Sequence, residues 1–234
     1  MDAVRSPWII AFGVVTVVHL SLLAADAGPW DSITKCLLAP LLLAWVVQLQ
    51  GPRLLMVALI GCFFGDLFLE LDEAWFPVGM AAFAVAHVCW IVFFVQRGAG
   101  DRLKRAPWIP ALFALGGAAL IAWCWSGLPD DIRPLVPFYA ALLAGTAMTA
   151  VIVDERAGIG GISFLVSDGL IAASKAHRVD AEADAVRLAI MVLYIAAIFL
   201  LSTGILAKEK RSLAAAGDGG LDPRVRTDCW PRLP

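Results

Sequence analysis

The chain has 234 residues, of which 61% are hydrophobic and only 16% charged, with a mean hydropathy of +0.82. A soluble domain would carry roughly 25% charged residues, and at this length it could not hide so much apolar surface from water. The composition therefore fits lipid as solvent, and the net charge of −2 excludes the basic field of a nucleic-acid-binding protein.

Eight apolar runs follow one another, at 7–25, 33–50, 54–71, 76–95, 107–126, 135–153, 159–176 and 186–206. Each is close to the roughly 20 residues that cross a ~30 Å hydrocarbon core as a helix. They are too long and too continuous for barrel strands, which alternate over about 10 residues. The first run is longer than the core of a usual leader peptide and ends in Asp26-Ala27-Gly28-Pro29, a poor cleavage site, so it reads as the first helix. Gly28-Pro29, Gly51-Pro52, Gly98-Ala99-Gly100 and Leu128-Pro129-Asp130 mark the turns. The expected architecture is all-α: one bundle of eight transmembrane helices over residues 1–207. A polar tail rich in Gly and Pro over 208–234 reads as disordered.

Of the 18 Lys and Arg residues, Lys35, Arg133, Lys175, Arg178 and Arg187 fall on one side of these spans and the other thirteen on the N-terminal side. Lys and Arg concentrate in cytoplasmic loops, so both termini are expected in the cytoplasm. The expected location is that of a multi-pass protein, in the plasma membrane if the source is bacterial. Trp8, Trp30, Trp75 and Trp108 stand at run ends, where an aromatic belt belongs. Of the five cysteines, Cys36, Cys62, Cys89 and Cys124 lie in apolar runs, Cys229 lies in the tail, and none forms CxxC. They read as small apolar residues, not as disulfides or metal ligands.

Ionisable residues inside a span are costly and mark sites. Asp66 lies in the third run and Asp168 in the seventh. The two runs point the same way. Asp66 is 13 residues past Arg53, about 20 Å up the helix, and Asp168 is 12 past Arg156, about 18 Å up. Two carboxyls at one level, each after a small residue, outweigh the bland reading of one structural aspartate. Lys35 opens the second run and Lys175 closes the seventh; each taken singly reads as a lysine snorkelling to the interface. His87 sits within a stripe of Phe76, Gly79, Phe83, Trp90 and Phe94 that is either packing or the wall of a pocket shared with the aspartates. His19 reads as structural. Tyr139 and Thr146 share a face of the sixth run.

Taken in order, the set is Lys35, Gly65-Asp66-Leu67, Phe76-x-x-Gly79-x-x-x-Phe83-x-x-Ala86-His87, Pro137-x-Tyr139-Ala140, Gly161-x-x-Phe164-x-x-Ser167-Asp168 and Tyr194. It resembles the YhhN-like lysoplasmalogenase family of eight-span membrane hydrolases, over roughly residues 7–206. Where that family has Pro after the lysine, Tyr in the histidine motif and Gln in the last span, this chain has Cys36, Trp90 and Ile198. The resemblance implies hydrolysis of the vinyl ether bond of lysoplasmalogens, giving a fatty aldehyde and a glycerophospho-alcohol. It implies Asp66 and Asp168 as the catalytic pair.

A vinyl ether is stable to base and labile to acid. Proton transfer to the alkene carbon creates an oxocarbenium ion, which water then captures. The reaction needs one carboxylic acid still holding its proton and one carboxylate nearby, as in glycosidases. Lys35 and Lys175 are candidates to hold the lipid phosphate, and His87 to orient a carboxyl or relay a proton. Tyr139 and Tyr194 complete the expected substrate contacts. The substrate is expected to come from the bilayer as a lysophospholipid, with membrane lipids as the surroundings, and no cofactor or metal is required. A zinc hydrolase would need about three His ligands, and only His19 and His87 lie in spans. The alternative from another class is a proton-coupled transporter of a lipid or small solute, using the same aspartates as a proton relay.

Overall fold

The computed structural model describes residues 6–180 and 183–218, with side chains to 214. Among the described residues the chain is all-helical: α1 (Pro7–Ala24), α2 (Pro29–Gln48), α3 (Arg53–Leu69), α4 (Phe76–Gln96), α5 (Ala99–Arg105), α6 (Trp108–Cys124), α7 (Val136–Val153), α8 (Glu155–Lys175) and α9 (Asp184–Asp218). Single 3-10 turns at Glu73–Trp75 and Trp125–Gly127 lead into α4 and out of α6. Seven of the helices are long and apolar enough to cross a membrane. The chain is thus a multi-pass helical membrane protein by length and composition. Helix α3 is as apolar as its neighbours and has 17 residues, fewer than the other seven spans.

Boundaries follow local chemistry. Asp154 separates α7 from α8 with a single residue. Its backbone turns to an extended conformation, and its carboxylate accepts from the amides of Arg156 and Ala157, satisfying the first free N–H groups of α8. Arg211 reaches the same carboxylate at 2.6 Å, tying the far part of α9 to this cap. Pro stands at the first turn of α1, α2, α4 and α7, where its missing N–H costs nothing.

Two elements depart from the sequence reading. Gly98-Ala99-Gly100 was expected only to break the chain. Instead, Gly98 takes a left-handed conformation (φ 85°) and starts the short helix α5, which carries Arg102, Lys104 and Arg105 in its last turn. Helix α9 does not stop at 207 but continues to Asp218, because Lys208-Glu209-Lys210-Arg211-Ser212-Leu213-Ala214 consists almost entirely of good helix formers. Arg97 pairs with Glu209 on this extension. The rest of the expected tail, 219–234, including Cys229, lies outside the described residues, and the described cysteines are free.

Seven helices close a circuit in which each touches the next: α1, α2, α3, α4, α7, α8, α9 and back to α1. Helix α9 also reaches across to α2 and α3. Helix α6 stands outside the circuit, packed on α7 and lightly on α8. Helices pack in lipid through small residues that let backbones approach. A Cβ on Gly61 of α3 would come within 2.8 Å of the Ala82 carbonyl on α4, and one on Gly160 of α8 within 2.8 Å of the Leu201 amide on α9. Trp8, Trp30, Trp75 and Trp108 are exposed at helix ends, as an aromatic belt requires. His19 is buried, its Nδ1 3.1 Å from both the Asp31 carbonyl and Thr34 Oγ1, so it joins α1 to α2.

These close approaches predict that Gly61→Val and Gly160→Val each destabilise the bundle by about 1–3 kcal/mol through overpacking. Gly13→Val, where a Cβ meets nothing within 4 Å, changes little. Thermal unfolding in detergent, followed by helical signal, checks the ranking; equal behaviour of the three would contradict the packing.

Candidate functional site

Asp66 projects from α3 and is 1% exposed. One of its carboxyl oxygens accepts a 2.5 Å hydrogen bond from the Tyr194 hydroxyl on α9. Asp168 projects from α8 and accepts a 2.5 Å hydrogen bond from the Tyr139 hydroxyl on α7. Both carboxyls and both tyrosines line one cavity of about 110 Å³, enough for water molecules beside a reacting group. The matched depths of the two aspartates thus correspond to a shared chamber.

The tyrosines solve a physical problem. A carboxyl in an apolar bundle has lost its water, and an unpaired one would be costly. Each phenol restores one strong hydrogen bond and, by occupying one oxygen, fixes how the carboxyl is turned. The rings are held in place in turn. Tyr194 meets Phe83 and Phe164 edge-on at 6.0 and 5.5 Å, and Phe164 also meets Phe83, His87 and Trp90. Buried Ser167, beside Asp168, donates to the Ile190 carbonyl, pinning α8 to α9 at the level of the site.

Lys35 and Lys175 both line this cavity on its outer side. Each carries a counter-ion that sequence reasoning missed. The Lys35 ammonium donates to Glu70 at 2.6 Å, and Ser32 donates to the other Glu70 oxygen at 2.5 Å. Lys175 donates to Glu73 at 2.8 Å and lies 4.9 Å from the Phe76 ring centre. Glu70 is four residues beyond Asp66, one turn along the same face of the chain, and this spacing was the available signal. A phosphate held by either lysine therefore shares it with a glutamate already in place.

His87 is not brought onto the cavity wall. It is fully buried behind Tyr139, with ring centres 5.7 Å apart, and its Nδ1 is hydrogen-bonded to Thr146 Oγ1 at 3.0 Å. Within the stripe on α4, Phe76 and Phe83 line the cavity and Gly79 abuts α3, whereas His87 packs behind Tyr139 and against the Phe164 ring and so braces the tyrosine. Among the described residues no group of three or more His, Cys, Asp or Glu is arranged to hold a metal ion.

Outward, the cavity shares Phe76, Ile132, Ile171, Lys175 and Ile190 with an open vestibule of about 940 Å³. Charged side chains of both signs line it, among them Glu73, Asp131 and Arg178. Inward and toward α6, the cavity wall is apolar, with Gly117, Leu120, Ile121, Leu143 and Leu165. The chamber is therefore amphipathic: charged at its mouth, paired carboxyls in the middle, hydrocarbon beyond.

The hydrogen bonds make a prediction independent of activity. In Tyr194→Phe the infrared carboxyl band that disappears in Asp66→Asn should shift, and in Tyr139→Phe the band that disappears in Asp168→Asn should shift. Each loss should cost about 1–3 kcal/mol of stability. Bands unchanged in both phenylalanine variants would contradict the pairing.

No curated protein matches the chain, and no solved structure does. A sequence model of the YhhN family matches residues 30–205, a stretch that holds every cavity residue named above. With the match spanning more than half of its length, the chain belongs to the YhhN family.

Proposed function

We propose that this protein hydrolyses the vinyl ether bond of lysoplasmalogen-type lipids, with Asp66 and Asp168 as acid and base, releasing a fatty aldehyde and a glycerophospho-alcohol. The observation that carries this reading is the pair of carboxyls from two helices that line one chamber, each hydrogen-bonded to a tyrosine. Membership of the YhhN family is consistent with it. Helix α3 serves as an eighth span in this reading. Both termini are cytoplasmic, because thirteen of the 18 Lys and Arg residues lie at that end, and the tail beyond the bundle is cytoplasmic too.

The steps follow from the chemistry of the bond. One aspartic acid delivers its proton to the alkene carbon farther from oxygen. The carbon next to oxygen becomes an oxocarbenium ion, stabilised by the neighbouring carboxylate in a medium of low dielectric. That carboxylate takes a proton from water as the water oxygen bonds to the cationic carbon, giving a hemiacetal. Collapse returns the proton from the second aspartic acid to the leaving ether oxygen. The first aspartate takes the hemiacetal hydroxyl proton, so both carboxyls end as they began. The phenols of Tyr139 and Tyr194 orient the carboxyls throughout, and the lysines at the rim, shared with Glu70 and Glu73, donate hydrogen bonds to the phosphate.

Purified protein in detergent should release aldehyde from a lysoplasmalogen and none from an acyl lysophospholipid. Asp66→Asn and Asp168→Asn should each lower the rate by about 10²–10⁴-fold, the usual worth of general acid–base catalysis. Aldehyde release that persists in both variants would remove the site assignment. Proton-linked flux with no aldehyde would favour the transporter reading.

A further inference from the structure

The inner, apolar part of the cavity has a shape that the carboxyls do not explain. Helices α7 and α8 run in opposite directions past the site. Leu143 lies four residues beyond Tyr139 and Leu165 three residues before Asp168, so both sit about 5 Å deeper than the carboxyls. Gly117 of α6 lines the same chamber, and a Cβ built there meets nothing within 4 Å. Its helix shows a consistent inward face: Phe113, Gly117, Leu120, Ile121 and Cys124 are shielded, whereas Leu112, Leu115 and Gly116 are exposed. The wall formed by α6 is also thin. Few of its residues are buried, whereas about half of those in the α9 span are, so this side of the chamber is one loosely packed helix away from the bilayer.

We propose that this arm is the hydrocarbon-chain channel of the substrate and that Gly117 sets its bore, so that α6 determines which chain lengths are accepted. The proposal rests on the lipid-hydrolase reading above. With the ether oxygen between the carboxyls and the phosphate toward Lys175 and the vestibule, the chain is left one direction to run: inward past Leu165 and Gly117. The enclosed part extends only about one helical turn beyond the carboxyls. A short chain fits within it, and a long chain continues between α6 and its neighbours toward lipid. A side chain at 117 narrows that passage for long chains alone, without touching either aspartate.

The test compares Gly117→Phe with Gly116→Phe, which places the same ring one residue along on the exposed face of α6. Both are assayed on lysoplasmalogens with chains of about 4 carbons, which one helical turn of depth accommodates, and about 16 carbons. Gly117→Phe should lower the ratio of long-chain to short-chain kcat/KM about tenfold or more, and Gly116→Phe should leave the ratio unchanged. Equal loss on both chains, or no change in the ratio, would overturn the proposal. In parallel, a lysophospholipid analogue with a photoreactive diazirine in mid-chain is crosslinked to the wild-type protein, and the labelled peptides are mapped. Label on the inward face of α6 supports the channel; label confined to other helices overturns it. Crosslinking does not require turnover, so an absence of aldehyde from the wild type would sink the hydrolase reading while the label pattern still decides the channel.

Discussion

A carboxyl group placed among helices in lipid must find its hydrogen bonds within the protein, and here two carboxyls find them in two tyrosines. Tyr139 of α7 serves Asp168 of α8, and Tyr194 of α9 serves Asp66 of α3. Four helices must therefore meet at one depth for both aspartates to be tolerated. The glycines at the α3–α4 and α8–α9 contacts, the Phe83–Phe164 cluster behind the tyrosines and the Ser167–Ile190 bond all bring those helices to that depth. Once they meet, the carboxyls face a chamber with a mostly apolar wall, where charges interact more strongly than in water.

The polarity of the chamber is graded along the helix bundle. Outside are the Lys35–Glu70 and Lys175–Glu73 pairs and the charged vestibule; inside are leucines and a glycine-lined wall. An ordinary enclosed water site would not need such a gradient, whereas an amphipathic molecule held with its polar end outward would. The two ion pairs also bear on selectivity. Because each lysine already has a glutamate counter-ion, the anionic head group proposed above would have to compete with that glutamate for a donor.

Much of this was legible in the sequence, for reasons that differ from part to part. All eight apolar runs became helices, seven of them within a few residues of their expected limits, since hydrophobic length is dictated by the solvent. The aspartates were visible because an acid in such a run has few innocent explanations, and counting residues from Arg53 and Arg156 put them at one level. Helix α5 was not legible, because Gly98-Ala99-Gly100 signals a turn whether or not a short helix follows it. The extension of α9 was hidden by the Gly and Pro content of residues beyond it. At the site, Tyr139 and Tyr194 were picked out as lipid contacts, yet their bonds to the aspartates join residues 29 and 128 positions apart, and no local spacing reveals such a pairing. His87 illustrates the opposite limit. Periodicity gave its face on α4 correctly, but which neighbour that face meets depends on how α4 is rotated against α7.

The central claim is that the two aspartates move protons to and from one vinyl ether in this chamber. It is tested most directly by running the hydrolysis in D2O and trapping the aldehyde by reduction before it exchanges. The account predicts a single deuterium on the carbon next to the former carbonyl, of one configuration, because a fixed carboxylic acid delivers it from one face. A product without deuterium at that carbon, or with the two configurations in equal amounts, would contradict it.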